Sequence, residues 1–127
     1  MEKNPHLKII SKLWISLDEE VIFGLGRIRL FEAIEKTGSM SQAAALLGMS
    51  YRAAWGKVKA TEERLQLSLV ERQQGNRRKG TMLTPAGKEL LFRYSQFQQE
   101  AYEQLDTLFD KHLGDIFQNL KKLDEND

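Results

Sequence analysis

The sequence predicts a mainly α fold with a small amount of β structure: a short ribbon, three helices, a hairpin and a long closing helix. Three observations predict it. Residues 38–58, GSMSQAAALLGMSYRAAWGKV, put small side chains where two short helices would cross and Gly48 in the turn between them. Such a helix-turn-helix needs small residues because its backbones approach closely, and glycine takes a positive φ without steric cost. Residues 68–84 switch to strand character around a polar tip containing Gly75 and Gly80. From Ala86 to about Leu113 there is no proline, and apolar residues recur at helical spacing.

A chain of 127 residues is one domain with an added helical segment, long enough for a core. The expected division is 1–84 for the helix-turn-helix with its strands, and 85–127 for the long helix and a short final one. The absence of cysteine excludes disulfides, thiolate metal sites and cysteine nucleophiles. No apolar run approaches the ~20 residues that span a bilayer, and MEKNPHLKII has no signal-peptide pattern. A soluble, cytoplasmic protein with no membrane partner is expected.

The net charge of +1 conceals its distribution. Residues 1–49 balance. Residues 50–80 carry Arg52, Lys57, Lys59, Arg64, Arg72, Arg77, Arg78 and Lys79 against Glu62, Glu63 and Glu71, while residues 85–127 are net acidic. Positive charge gathered in one block of a near-neutral chain is the footprint of a nucleic-acid-binding face.

In chain order, residues 7–17 alternate, with Leu7, Ile9, Leu13, Ile15 and Leu17 on one side. That period predicts a half-buried strand. DEE makes a turn and VIFG returns as a second strand. A first helix is expected from about Gly26 to Lys36, with Ile28, Phe31 and Ile34 inward, and Thr37-Gly38 stops it. Ser39 with Gln42 forms a capping-box pattern for the second helix, and Ser41 is an alternative cap. The second helix runs to about Leu47. The third runs from its cap Ser50 to about Leu65, with Ala54, Val58, Thr61 and Leu65 facing the core and Tyr51, Arg52, Trp55 and Lys59 facing away.

Leu69-Val70 and Met82-Leu83 then flank ERQQGNRRKGT, which has the shape of an exposed wing. Thr84-Pro85 opens the last long helix as cap and first helical residue. Leu90, Tyr94, Phe97, Ala101, Leu105 and Leu108 form its apolar stripe. Such a helix is about 40 Å long, more than a domain of this size covers, so the unburied part calls for a second copy. Gly114 breaks the run, and Ile116, Phe117, Leu120 and Leu123 predict a short amphipathic helix.

Helix, helix-turn-helix, wing and long helix in this order resemble the winged helix-turn-helix of LysR-type regulators. The likeness is greater to the amino-terminal DNA-binding domain of the ModE-type, molybdate-responsive regulators. It is carried by TGSMSQAAALLGMSYRAAW and LVERQQGNRRKGTMLTPAGKELL, and extends over roughly residues 7–113. In that family molybdate-binding barrels follow the long helix, and too few residues remain here for them. Many relatives also have a glycine-rich wing tip where this chain has Asn76-Arg77-Arg78-Lys79. The resemblance implies a prokaryotic transcription regulator binding double-stranded DNA as a homodimer. It carries over neither molybdate sensing nor any cofactor or small-molecule ligand.

For the candidate interface, a recognition helix inserts its amino-terminal residues into the major groove. Arg52 can reach guanine bidentately, and Ser50 and Tyr51 a phosphate or a base edge. Trp55 either packs on a thymine methyl or sugar or wedges between helix and wing as core. Lys59 suits a phosphate. Arg72 either contacts DNA or pairs with Glu71 or a helix carboxylate. Asn76, Arg77, Arg78 and Lys79 suit the backbone or minor groove, or are a solvated tip. Ser39, Ser41 and Gln42 either meet phosphate at the helix end or only cap it.

Catalysis has little support, and an enzyme is not expected. His6 and His112 lack matching metal ligands, and no nucleophile triad, paired carboxylates or phosphate loop occurs. The competing readings are a winged-helix protein-interaction module, or a regulator with an unidentified ligand at a dimer interface.

Overall fold

The structure, a computed structural model, describes residues 7–72 and 80–125. The chain divides into two compact units, one of residues 12–96 and one of residues 1–11 with 97–127. In the larger, β1 (Trp14–Leu17) and β2 (Glu20–Gly24) are followed by α1 (Leu25–Thr37), α2 (Met40–Leu46) and α3 (Tyr51–Leu65), then β3 (Val70–Arg72) and β4 (Thr81–Leu83). α4 (Pro85–Leu113) begins in this unit and ends in the other, which also holds α5 (Ile116–Glu125). β1 pairs antiparallel with β2, and β3 with β4, as two separate two-stranded sheets.

The expected strand over residues 7–17 is shorter than its alternation suggests. Only Trp14–Leu17 are paired, and all four are exposed. The partner sets the limit: Gly24 pairs with Trp14, and the next residue already belongs to α1. The ribbon turns at Asp18 and Glu19, both at positive φ (48° and 74°), the requirement of a two-residue hairpin that matches strand twist. The register skips Ile22, which is a bulge. A bulge breaks alternation, so Ile22 and Phe23 both turn inward and bury in succession. The ribbon therefore buries β2 and leaves β1 outside.

The core of this unit is built on Phe23, Ile28, Leu30, Phe31, Ile34, Met40, Val58, Leu69 and Leu83. Phe23 lies 4.7 Å, edge to face, from the ring of Tyr94, whose hydroxyl donates to Leu13 O at 3.1 Å. Thr61, fully buried on α3, places its hydroxyl 3.0 Å from Ile22 O and so satisfies the carbonyl of the bulge. Arg27 and Arg64 both direct an Nη1 donor at Val21 O, and Arg64 also pairs with Glu20 at 3.1 Å. Burial, and then the neighbouring Arg64 charge, lower the Arg27 pKa from its ordinary value.

Helix ends follow their local chemistry. α1 stops at Gly38, whose φ of 68° carries the chain out of the helix and whose N–H reaches Ile34 O. Ser39, not Ser41, caps α2 by accepting from Gln42 N–H at 3.2 Å. The Ser39 N–H is met by Thr37 Oγ1, so Thr37 supplies the return bond that the capping-box pattern assigned to the Gln42 side chain. Thr84 caps α4: its Oγ1 accepts from Gly87 N–H at 3.0 Å and donates to Ser68 O at 2.7 Å. Gly87 is pressed onto the wing entry, because a Cβ there would stand 2.2 Å from Leu69 O.

In the smaller unit, Gly114 separates α4 from α5, where a Cβ would stand 2.5 Å from Asp110 O. Asp115 opens α5, with its carbonyl accepting Asn119 N–H at 3.1 Å. Ile9, Ile10 and Ser11 line a groove with Tyr102, Leu105 and Asp106 of α4. Among the described residues, no helix is long and apolar enough to cross a membrane.

Candidate nucleic-acid interface

The site is built on the crossing of α2 and α3. Ala43, Ala44 and Ala54 are buried there, and their single methyl groups let the backbones close in. Gly48, at φ 68°, turns the chain between the helices, and Met49 N–H returns to Ala44 O at 3.0 Å. Ser50 then caps α3 by accepting Ala53 N–H at 3.0 Å. Its hydroxyl oxygen is thus engaged in the helix start, as that of Ser39 is in α2. Ser41 and Gln42 stand exposed on the first turn of α2.

Ala54, Val58 and Thr61 turn fully inward on α3, with Leu65 partly buried beside them. This leaves Tyr51, Arg52 and Lys59 exposed on the opposite side. Among the described residues Arg52, exposed at the amino-terminal turn, has no hydrogen-bond or ion-pair partner.

Trp55 sits at the centre of a mixed aromatic and cationic cluster. The Tyr51 ring meets it edge-on at 6.4 Å, Lys59 Nζ lies 5.6 Å from its centroid, and the Arg72 guanidinium carbon lies 4.5 Å from it. Arg72 also donates from Nη2 to Tyr51 OH at 3.3 Å. Cations over an indole face are held by its quadrupole. Trp55 packs against the core, and its Nε1–H is buried without an acceptor among the described residues. The ring thus packs between α3 and β3. Trp55, Lys59, Val70 and Arg72 line a shallow pocket on this face.

Glu62 is the residue that sequence reasoning missed. Its side chain is only 10% exposed, with Oε2 accepting Leu69 N–H at 2.7 Å and Val70 N–H at 3.1 Å, while Oε1 pairs with Lys59 at 3.4 Å. It ties the end of α3 to the segment that enters β3. Two acidic residues, Glu62 and Glu63, near the end of a helix that also carries four basic ones and a few positions before a strand, were the available signal. Arg72 does not pair with Glu71 or a helix carboxylate among the described residues. Arg64, counted in the basic block, is spent on the ribbon. Asn76, Arg77, Arg78 and Lys79 lie outside the described residues; β3 and β4, which lead to them, are in register from Val70–Leu83 to Arg72–Thr81.

On the long helix the stripe divides. Tyr94 is 5% exposed and committed to the core of its own chain, which removes it from the set expected to face a second copy. Leu90 also packs against that core. Ala101 and Leu105 are half-buried. Phe97 and Leu108 are 51% and 50% exposed.

The family model for bacterial regulatory helix-turn-helix proteins of the lysR family matches residues 25–88. The chain is 37% identical over 100 residues to the molybdenum transport protein ModE of Azotobacter vinelandii, covering 76% of this chain and 37% of that one. It is 33% identical over 97 residues to the DNA-binding transcriptional dual regulator ModE of Escherichia coli K12, with coverage of 73% and 37%. The chain thus spans a little over a third of the length of these curated relatives. Its fold matches the crystal structure of the CbnR DBD–DNA complex with a TM-score of 0.54 at 27% identity, over 65% of this chain and 90% of that one.

Proposed function

Because the chain belongs to the lysR family of bacterial regulatory helix-turn-helix proteins, we propose that it is a sequence-specific transcriptional regulator of the cytoplasm. It binds duplex DNA as a homodimer. The observation that carries this reading is Arg52, without a partner among the described residues on the exposed first turn of α3, with Tyr51, Lys59 and Arg72 on the same face. A relative described as a DNA-binding transcriptional regulator and a structural match solved on DNA support it.

In this reading α3 enters the major groove by its amino-terminal turn, and Arg52 reads guanine through O6 and N7. Lys59 and Arg72 meet phosphates, and Asn76 to Lys79 hold the backbone or minor groove. Ser50 and Ser39, whose oxygens cap their helices, orient those helices; their hydroxyl protons remain to donate to phosphate, as do Ser41 and Gln42. The exposed apolar positions Phe97 and Leu108, with Ala101 and Leu105 between them, form the contact between copies. Two copies place two recognition helices on successive grooves.

Selection of bound fragments from genomic DNA tests the proposal. An enriched pseudo-palindrome with half-sites about 10 base pairs apart, or a multiple of that, is expected. Fragments recovered without any shared sequence would contradict it.

A further inference from the structure

We infer that Arg72 is a phosphate contact set in place before DNA arrives, with Trp55 and Tyr51 as the residues that position it. The inference rests on the proposed DNA binding and assigns roles within that site. Arg72 leaves β3 as an exposed side chain, yet it is not loose. Its guanidinium carbon lies over the Trp55 ring, 4.5 Å from the centroid, and one of its donors is bonded to Tyr51 OH at 3.3 Å. A guanidinium held in this way has fewer rotamers to lose on binding than a free lysine or arginine.

Its charge is also left over. Glu71 precedes it on β3, and successive strand residues point to opposite faces. The nearby Glu62 carboxylate is taken up by Lys59, Leu69 N–H and Val70 N–H. No carboxylate pairs with Arg72 among the described residues. A guanidinium has five N–H donors, so with one on Tyr51 the remaining fork can grip a phosphate bidentately. The indole, covered by Arg72 and buried at Nε1, is a platform and not a reader of bases. Tyr51 spends its oxygen as an acceptor for Arg72.

The rival is that Tyr51 itself donates to DNA, and a double-mutant cycle on duplex binding separates the two. Affinity for random duplex and for a selected fragment would be read by fluorescence anisotropy across salt concentrations. The proteins are wild type, Arg72→Ala, Arg72→Lys, Tyr51→Phe and Tyr51→Phe with Arg72→Ala. Arg72→Ala should weaken binding to both duplexes by the same factor and lower the magnitude of the salt slope by about 0.9. Tyr51→Phe should weaken binding roughly two- to ten-fold with the slope unchanged, and should cost nothing further once Arg72 is alanine. Arg72→Lys should keep the slope and still lose affinity, because the ammonium neither stacks nor forks.

A spectroscopic arm reads the platform without DNA. The chain has two tryptophans, Trp14 and Trp55, so in a Trp14→Phe background the emission of Trp55 should shift when Arg72 becomes alanine. Equal loss from Tyr51→Phe in both backgrounds would overturn the inference, as would an unchanged slope for Arg72→Ala or an unshifted emission. Wild-type protein that binds no duplex at low salt would overturn the DNA reading itself and this inference with it.

Discussion

Glu62 holds Leu69 by a 2.7 Å hydrogen bond from the Leu69 N–H to the carboxylate, and in doing so fastens the entry of β3 to α3. The same oxygen takes the Val70 N–H, so one side chain satisfies two backbone donors at the mouth of β3. Glu62→Ala strands both donors and should cost about 2–3 kcal/mol, whereas Glu62→Gln keeps an acceptor and should cost less. Urea denaturation measures both. Equal stability of the two variants would show that the carboxylate does not carry this junction.

Two glycines make opposite predictions. At Gly87 a Cβ would stand 2.2 Å from Leu69 O, a rigid backbone atom, whereas at Gly56, inside α3, it would meet nothing within 4 Å. Gly87→Ala should therefore destabilise by about 3 kcal/mol or more through overpacking. Gly56→Ala should stabilise by up to about 1 kcal/mol through helix propensity and a less disordered unfolded chain. Thermal melts of the pair would reveal a reversed order at once.

Arg52 is the base reader of the proposed interface, and its removal should act on preference more than on affinity at large. Arg52→Ala should cost about 1–3 kcal/mol on the selected site and much less on random duplex, so that the ratio between them collapses. Competition binding gives that ratio. A uniform loss on both DNAs would make Arg52 a backbone contact.

The exposed pair on α4 should govern assembly. Phe97→Glu with Leu108→Glu places charge in the open apolar stripe and should shift sedimentation from dimer to monomer, with little effect on thermal stability of the larger unit. The analogous change at Tyr94, buried against Phe23, should unfold the chain. A dimer that survives the double glutamate variant would place the contact elsewhere.

The helical part was legible because each helix carries both its period and its punctuation. Gly38, Gly48, Ser39, Ser50 and Thr84 mark turns and caps by chemistry that needs no tertiary partner. The inward set Ala54, Val58 and Thr61 followed from spacing alone. The amino-terminal ribbon misled, because alternation over residues 7–17 cannot reveal that the partner strand ends at Gly24, nor that a bulge at Ile22 moves the burial to β2. Tyr94 belonged by period to the open stripe, yet a ring that meets Phe23 edge-on is fixed by the path of another element. Tyr51, Trp55 and Arg72 each have a role that sequence suggests singly. Their joint arrangement depends on bringing a strand back over a helix, 21 positions from Tyr51 to Arg72, which no local pattern records.

The central claim, a duplex-DNA-binding face centred on α3 and the wing, is tested most directly by the salt dependence of binding to duplex DNA. Log affinity should fall linearly with log salt. Replacing Arg77, Arg78 and Lys79 by alanine should flatten the slope by up to about 0.9 for each phosphate that is no longer neutralised. Absence of binding by the wild-type protein at low salt would contradict the claim; a slope that the triple replacement leaves unchanged would remove the wing from it.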